Sequence, residues 1–352
     1  MLKPRTIRAL QVALALTLTG SASLPRDAAA HPGNKHSAVL IIGQGGLGDQ
    51  SYNDLGHRGF TQGLAQTGLT GRVVETSSVV AEGGTILRQA ASSGAGLVVD
   101  LEYSHSGILQ DVARDFPECH FVILNQVASG SNVTSVLFEE QQGSFLAGVL
   151  AAGVVRQAHL PGLEHHQELG VIGGTRSVGI DKFIAGFVQG AHSVDPELPV
   201  RISYANTFSD PAKGLEMAHV MYDGGVGIIY AVAGTTGVGV IHAAAQSGLY
   251  AIGVDQDEDG LAPGHVLTSM LKHTEVALER VVTDYAHGRL AGGSVVHMGL
   301  GEDGIGLTEM HYTRDLIPST VLQSVITARE DIVSGRVHVW NVVTQGYPDF
   351  MR

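Results

Sequence analysis

The sequence predicts an α/β protein made of two doubly wound parallel sheets. Three observations predict it. Short, almost continuously apolar runs recur along the chain. Amphipathic stretches of helical length separate them. The alternation completes one cycle and then starts again. Strands of uninterrupted apolar residues between helices belong to a parallel sheet buried on both faces.

In the first unit, Ala38-Val39-Leu40-Ile41-Ile42 is a buried strand and residues 53–66 form the helix after it. Residues 72–75 are a second strand, 84–93 a helix and 96–100 a third strand ending on Asp100. Residues 108–114 are a helix, and Phe121-Val122-Ile123-Leu124-Asn125 is a fourth strand. The second unit opens with a helix over 141–155. Strands follow at 169–174, 200–204, 227–232 and 250–255, with helices at 180–193, 211–224 and 237–247. Asp210 before Pro211 is an N-cap with proline in the first helical position. No low-complexity linker separates the units, so strand crossings are expected to join them.

The 352 residues suffice for two ordinary domains. Charged residues are 16% and glycines number 47, a turn-rich globular composition rather than a disordered one. A formal charge of −13 argues against non-specific binding to nucleic acid or anionic membranes. Cys119 is the single cysteine, so no disulfide forms within the chain and no cysteine-based zinc site exists. It is expected to be a buried structural thiol. His165-His166 falls in a polar loop and reads as solvated rather than metal-binding.

Residues 1–30 read as a secretory signal peptide. Lys3, Arg5 and Arg8 form the basic start, residues 9–18 the apolar run, and Ala28-Ala29-Ala30 the cleavage site, which places cleavage near Ala30. The apolar run is too short to span a bilayer well. No cysteine lies near the cleavage site, so no lipid anchor is expected. The mature chain is predicted to be periplasmic, without a membrane anchor.

In open α/β sheets the ligand site lies beyond the carboxyl ends of the strands. The residues found there are Gly43 to Asn53, Asn125, Gly234-Thr235-Thr236-Gly237 and Asp255 to Asp259. These are hydrogen-bonding groups with few cations, suited to a neutral polar ligand rather than a phosphate. Asp255 ends an apolar run; a carboxylate there accepts two sugar hydroxyl hydrogens. Gly43-x-Gly45-x-x-Gly48 follows a strand and precedes a helix, with Glu75 ending the next strand, which outlines a dinucleotide fingerprint. An exported NAD(P)-dependent oxidoreductase using the Gly43–Gly48 loop is therefore the alternative. The helix begins about five residues too late for it, and the acids after Asp255 oppose a pyrophosphate. No G-x-S-x-G elbow or H-E-x-x-H motif occurs, and no enzyme activity, cofactor or metal is expected.

Four stretches resemble the basic membrane protein family of solute-binding proteins, also called the purine nucleoside receptor A family. They are Gly45-Gly46-Leu47-Gly48-Asp49-Gln50-Ser51-Tyr52-Asn53; Asn132 to Val136 with Gly143-Ser144-Phe145-Leu146-Ala147-Gly148; Phe183-x-x-Gly186-Phe187-x-x-Gly190 with Phe208-Ser209-Asp210-Pro211; and Ala233 to Gly237 with Ile252-Gly253-Val254-Asp255 and Val266 to Lys272. The resemblance implies a type I periplasmic-binding-protein fold whose lobes are joined by three crossings. It implies an N-terminal lobe of 37–138 plus 268–290 and a C-terminal lobe of 139–267 plus 291–345. It further implies a receptor for an ABC importer, working as a monomer with a permease and binding a nucleoside or related heterocycle. A ligand sensor for a membrane receptor is the other use of such a fold.

By the same resemblance, Tyr52 and Phe208 match the stacking aromatics, Asn53 the asparagine beside the first, Gly234 the tight turn against the ligand, Asp255 the ribose-binding aspartate and Lys272 the lysine of the final crossing. Asn125 stands where many members carry an acid, and Gly43 where many carry an aspartate. The ribose end therefore reads as kept and the base end as altered.

Overall fold

A computed structural model describes residues 34–157 and 160–351. The expected signal peptide lies outside the described residues. The first lobe is built from β1 (Asn34–Ile41), α1 (Tyr52–Thr67), β2 (Thr70–Val74), α2 (Val79–Ser92), β3 (Ala95–Asp100), α3 (Ser106–Asp115), β4 (His120–Leu124) and β5 (Val133–Phe138). The second contains α4 (Glu140–Gln157), β6 (Glu168–Gly173), α5 (Val178–Val194), β7 (Val200–Tyr204), α6 (Pro211–Asp223), β8 (Val226–Val232), α7 (Thr235–Ser247), β9 (Tyr250–Asp255) and β10 (Val266–Lys272). The chain then returns with α8 (Thr274–Ala286) and β11 (Ser294–Met298), and ends with β12 (Ile305–Leu307), α9 (Ser319–Val333) and α10 (Val342–Gln345).

The strands form two six-stranded sheets, ordered β11-β5-β4-β3-β1-β2 and β12-β10-β9-β8-β6-β7. All pairings are parallel except β10 with β12. Every residue of β3 and of β8 is buried, as strands covered by helices on both faces must be. The two sheet orders correspond strand for strand, so β4 in one lobe occupies the place of β9 in the other.

Three crossings join the lobes, at Glu139, His273 and Gly299, and they lie together. The Glu139 N–H donates to Met298 O at 3.0 Å, and the His273 N–H to Gly304 O at 3.0 Å. These positions move two expected boundaries. Residues 268–272 were expected with the first lobe, yet β10 continues along β9 in the second sheet as far as Leu271↔Asp255. Residues 291–298 were expected with the second lobe, yet β11 pairs with β5 from Ser294↔Thr134 to Met298↔Phe138. A crossing falls where a strand stops finding partners, and the partner is not encoded in the strand's own residues. For the same reason the motif residues of β5 and β10 do not by themselves announce these strands.

Helices α4 and α5 cross at backbone contact. A Cβ added to Gly186 would stand 2.2 Å from Gln141 O, and one added to Gly148 2.1 Å from Phe187 O. Gly148, Gly186 and Gly190 are thus required by this crossing. Helix α8 packs on α1 in the same way, with Gly59 against Glu275 O. Cys119 is buried, and burial pushes its thiol up to about 12.

Candidate ligand cleft

The carboxyl ends of both sheets face each other across a cleft of about 780 Å³, part of it open to solvent. All seven residues singled out in the sequence line it: Tyr52, Asn53 and Asn125 from the first lobe, Phe208, Gly234, Asp255 and Lys272 from the second.

The loop between β1 and α1 is held by acidic side chains. Asp49 caps α1, accepting from the N–H groups of Ser51, Asn53 and Asp54. Glu75 accepts from the Leu47 N–H at 2.7 Å, Asp54 from those of Gly48 and Gln50, and Glu102 from that of Gln44 at 3.0 Å. The Gly43 N–H donates to Asn53 Oδ1 at 2.9 Å, and Asn53 Nδ2 donates to Gln44 O. Asn53 therefore shapes the loop with both ends of its amide. The glycine-rich backbone directs these amides at carboxylates, where a pyrophosphate cradle would leave them free for an anion.

A chain of polar contacts crosses from one lobe to the other. Lys272 Nζ donates to Asn125 Oδ1 at 2.9 Å, Asn125 Nδ2 to the Tyr52 hydroxyl at 3.0 Å, and that hydroxyl to Leu101 O at 3.0 Å. Lys272 Nζ also lies 4.7 Å from the centre of the Tyr52 ring and 2.7 Å from Glu140 Oε1. Lys182 Nζ pairs with the other oxygen of Glu140 and donates to Phe138 O. Burial alone would raise the Glu140 carboxyl, but the Lys182 and Lys272 ammonium groups outweigh it and hold the acid below its ordinary range.

Asp255 closes the cleft from the second lobe. Its Oδ2 accepts the Ser51 hydroxyl of the first lobe. Burial raises its carboxyl to about 6, against the opposing pull of Lys272 and Ser51. Its backbone is left-handed, φ 67°, and so is that of Asn125, φ 66°. These two residues stand at corresponding ends of β9 and β4, and the shared backbone turns each out of its sheet towards the cleft. Gly234, φ 54°, precedes α7; its backbone conformation favours glycine, and a Cβ there would crowd the Phe208 carbonyl at 3.1 Å.

Three charged cleft groups escaped the sequence reading: Glu102, Glu140 and Lys182. Glu102 follows β3 and falls under the same strand-end rule that found Asn125 and Asp255. Asp100 and His105 fix its backbone: Asp100 Oδ1 accepts the Glu102 N–H, and Oδ2 faces His105 Nδ1 at 2.8 Å. Ser51 sits inside a quoted motif without an assigned role. Glu140 and Lys182 carry no local signal, because their pairing exists only once α4 packs on α5.

The profile of the Bmp family, described as PnrA-like ABC transporter substrate-binding proteins, matches residues 36–341. The chain belongs to this family. A CD4+ T-cell-stimulating antigen of Listeria monocytogenes is 30% identical, over 86% of this chain and 87% of the relative. The ABC transporter nucleoside-binding protein BmpA of Lactococcus lactis is 28% identical, over 96% of this chain and 99% of the relative. Among solved structures, a solute-binding protein of an Aeropyrum pernix ABC transporter system superposes with a TM-score of 0.79 at 23% identity, covering 87% of this chain and 93% of that one. One from Conexibacter woesei gives 0.66 at 22% identity, covering 87% and 98%. The architecture of this Bmp-family protein is the type I periplasmic-binding fold. Substrate-binding proteins of ABC transporters bind small molecules outside the cytoplasm and work with a permease. No helix among the described residues is long and apolar enough to cross a membrane.

Proposed function

We propose that this chain is the monomeric, periplasmic receptor of an ABC importer and carries a nucleoside or a closely related heterocycle. The observation that carries the reading is the cleft between the lobes. It sets an aromatic ring from each lobe, Tyr52 and Phe208, beside a carboxylate, Asp255, suited to sugar hydroxyls. The printed name of the Lactococcus relative supports the same ligand class.

In this mechanism the open form admits a planar ring between Tyr52 and Phe208. Asp255 accepts hydroxyl hydrogens, and Lys272 and Asn125 hold the floor of the site. A ligand touching both lobes favours the closed form, and the three adjacent crossings act as the hinge. The permease then recognises the closed shape. A binding role is favoured over oxidoreductase chemistry because the Gly43–Gly48 amides are engaged by Asn53, Glu102, Glu75 and Asp54.

A thermal-shift screen of the purified protein against nucleosides, free bases, flavins and dinucleotides tests the reading. Stabilisation by a nucleoside or free heterocycle is expected. Stabilisation by dinucleotides alone, accompanied by turnover, would replace it with the oxidoreductase.

A further inference from the structure

The polar groups of the cleft divide into those already engaged and those with capacity left. Tyr52, Asn53, Asn125 and Lys272 are tied to neighbours at their functional ends. Asp255 accepts one hydrogen bond, from Ser51. Glu102 also has an acceptor position to spare; Asp49 and Glu140 line the cleft too, but their oxygens serve the first turn of α1 and the two lysines. Glu102 is only 1% exposed and lines the cleft from the opposite lobe to Asp255. Its Oε1 accepts from the Ser104 N–H and hydroxyl at 3.2 and 2.6 Å, whereas Oε2 accepts only the Gln44 N–H at 3.0 Å. A carboxylate has about four acceptor positions, so one remains. Both lysines of the cleft pair with Glu140 instead.

Register explains why a carboxylate stands there. Strand β1 pairs with β3 as far as Ile41↔Asp100, and beyond it the two segments stay adjacent, with Gly43 against Leu101 and the Gln44 N–H on Glu102. Gly43 has no side chain to fill the space, and a Cβ there would already lie 3.1 Å from Leu101 O. The end of β3 therefore supplies the acid that the end of β1 lacks.

We infer that Glu102 is a specificity-determining residue: it accepts a hydrogen bond from an N–H or amino group on the ligand's ring and selects heterocycles that carry such a donor. The inference rests on the nucleoside-type reading and divides the cleft into a hydroxyl end at Asp255 and a ring-edge end at Glu102. A buried carboxylate facing a ring without a donor is left under-satisfied, which penalises that ring. Charge points the same way. The cleft is lined by four carboxylates, Asp49, Glu102, Glu140 and Asp255, against Lys182 and Lys272, so it favours donor-rich uncharged ligands over anions.

Calorimetry on the purified protein tests this with adenosine, guanosine and inosine against purine riboside, which keeps the sugar and ring system but has no donor on the ring. The best donor-bearing nucleoside is expected to bind at least about tenfold more tightly than purine riboside. Glu102→Gln is expected to narrow that ratio to about threefold or less, by weaker binding of the donor-bearing nucleoside, tighter binding of purine riboside or both, with circular dichroism showing that the variant is folded. Where Glu102→Gln does not fold, Glu102→Asp, which draws the carboxylate back by one methylene, carries the same expectation. No preference in the wild type, or a preference kept in the variant, overturns the inference and leaves the nucleoside reading standing. Binding of none of the four nucleosides removes the inference together with the nucleoside assignment.

Discussion

Ser51 Oγ donates to Asp255 Oδ2 across the cleft, so the loop entering α1 of one lobe holds the end of β9 in the other. Two further contacts reinforce it: Gln256 Nε2 to Gln50 O, and the Tyr103 hydroxyl to Ser177 Oγ at 3.2 Å. These contacts bridge the two lobes, and the first of them uses the carboxylate proposed to accept the ligand's hydroxyls.

Ser51→Ala removes that contact while leaving the capping of α1 by Asp49 in place. The expected outcome is a larger radius of gyration for the ligand-free variant in small-angle scattering. An unchanged radius would show that the bond does not hold the lobes together in solution.

Asp255→Ala is expected to lower ligand affinity by about tenfold or more, about 1.4 kcal/mol. Burial raises the carboxyl to about 6, and its ionised form is the stronger acceptor of hydroxyl hydrogens. Ligand therefore favours the ionised form, and affinity falls as pH drops through that value. A loss of about tenfold between pH 7.5 and 5 is expected in calorimetry, and Asp255→Ala should flatten it.

Lys182→Met leaves the buried Glu140 with a single ammonium partner. Breaking a buried ion network from one side costs about 3–5 kcal/mol. Chemical denaturation should show a loss of that order, and a loss below about 1 kcal/mol would mean that water reaches Glu140.

Glu258 is buried with its Oε2 on the Val254 N–H, and burial raises its carboxyl to about 8, helped by Asp255, Asp259 and Asp257. A carboxyl raised on folding contributes stability below its ordinary value near 4.5, and that contribution is lost as pH rises towards 8. Stability is expected to decline by roughly 1 kcal/mol per pH unit over this window on account of Glu258. Glu258→Gln should flatten the decline in melting curves taken across it.

Gly186→Ala drives a methyl into the backbone of α4 at Gln141. Overpacking of this kind costs about 1–3 kcal/mol or more. Circular-dichroism melts are expected to show the loss, with helix content retained.

The sequence alone determined the parts of this protein that depend on local periodicity. Apolar runs such as 38–42 and 227–232 marked strands, the gaps marked helices, and the strand-end rule named Asn125 and Asp255 as cleft residues. The motifs carried the family and placed seven side chains that the fold does gather around one cleft. Tertiary structure decided the rest. The assignment of β10 and β11 to their sheets depends on partners that neither strand encodes. Asn53 lines the cleft and is also tied to Gly43 and Gln44, partners that only the folded loop supplies. Lys272 meets Asn125 across 147 residues of sequence, and Glu140 meets Lys182 only where two helices cross. Strands and helices follow from neighbours a few residues apart, whereas the charge and hydrogen-bond balance of a cleft is set by groups that only the crossings between lobes bring together.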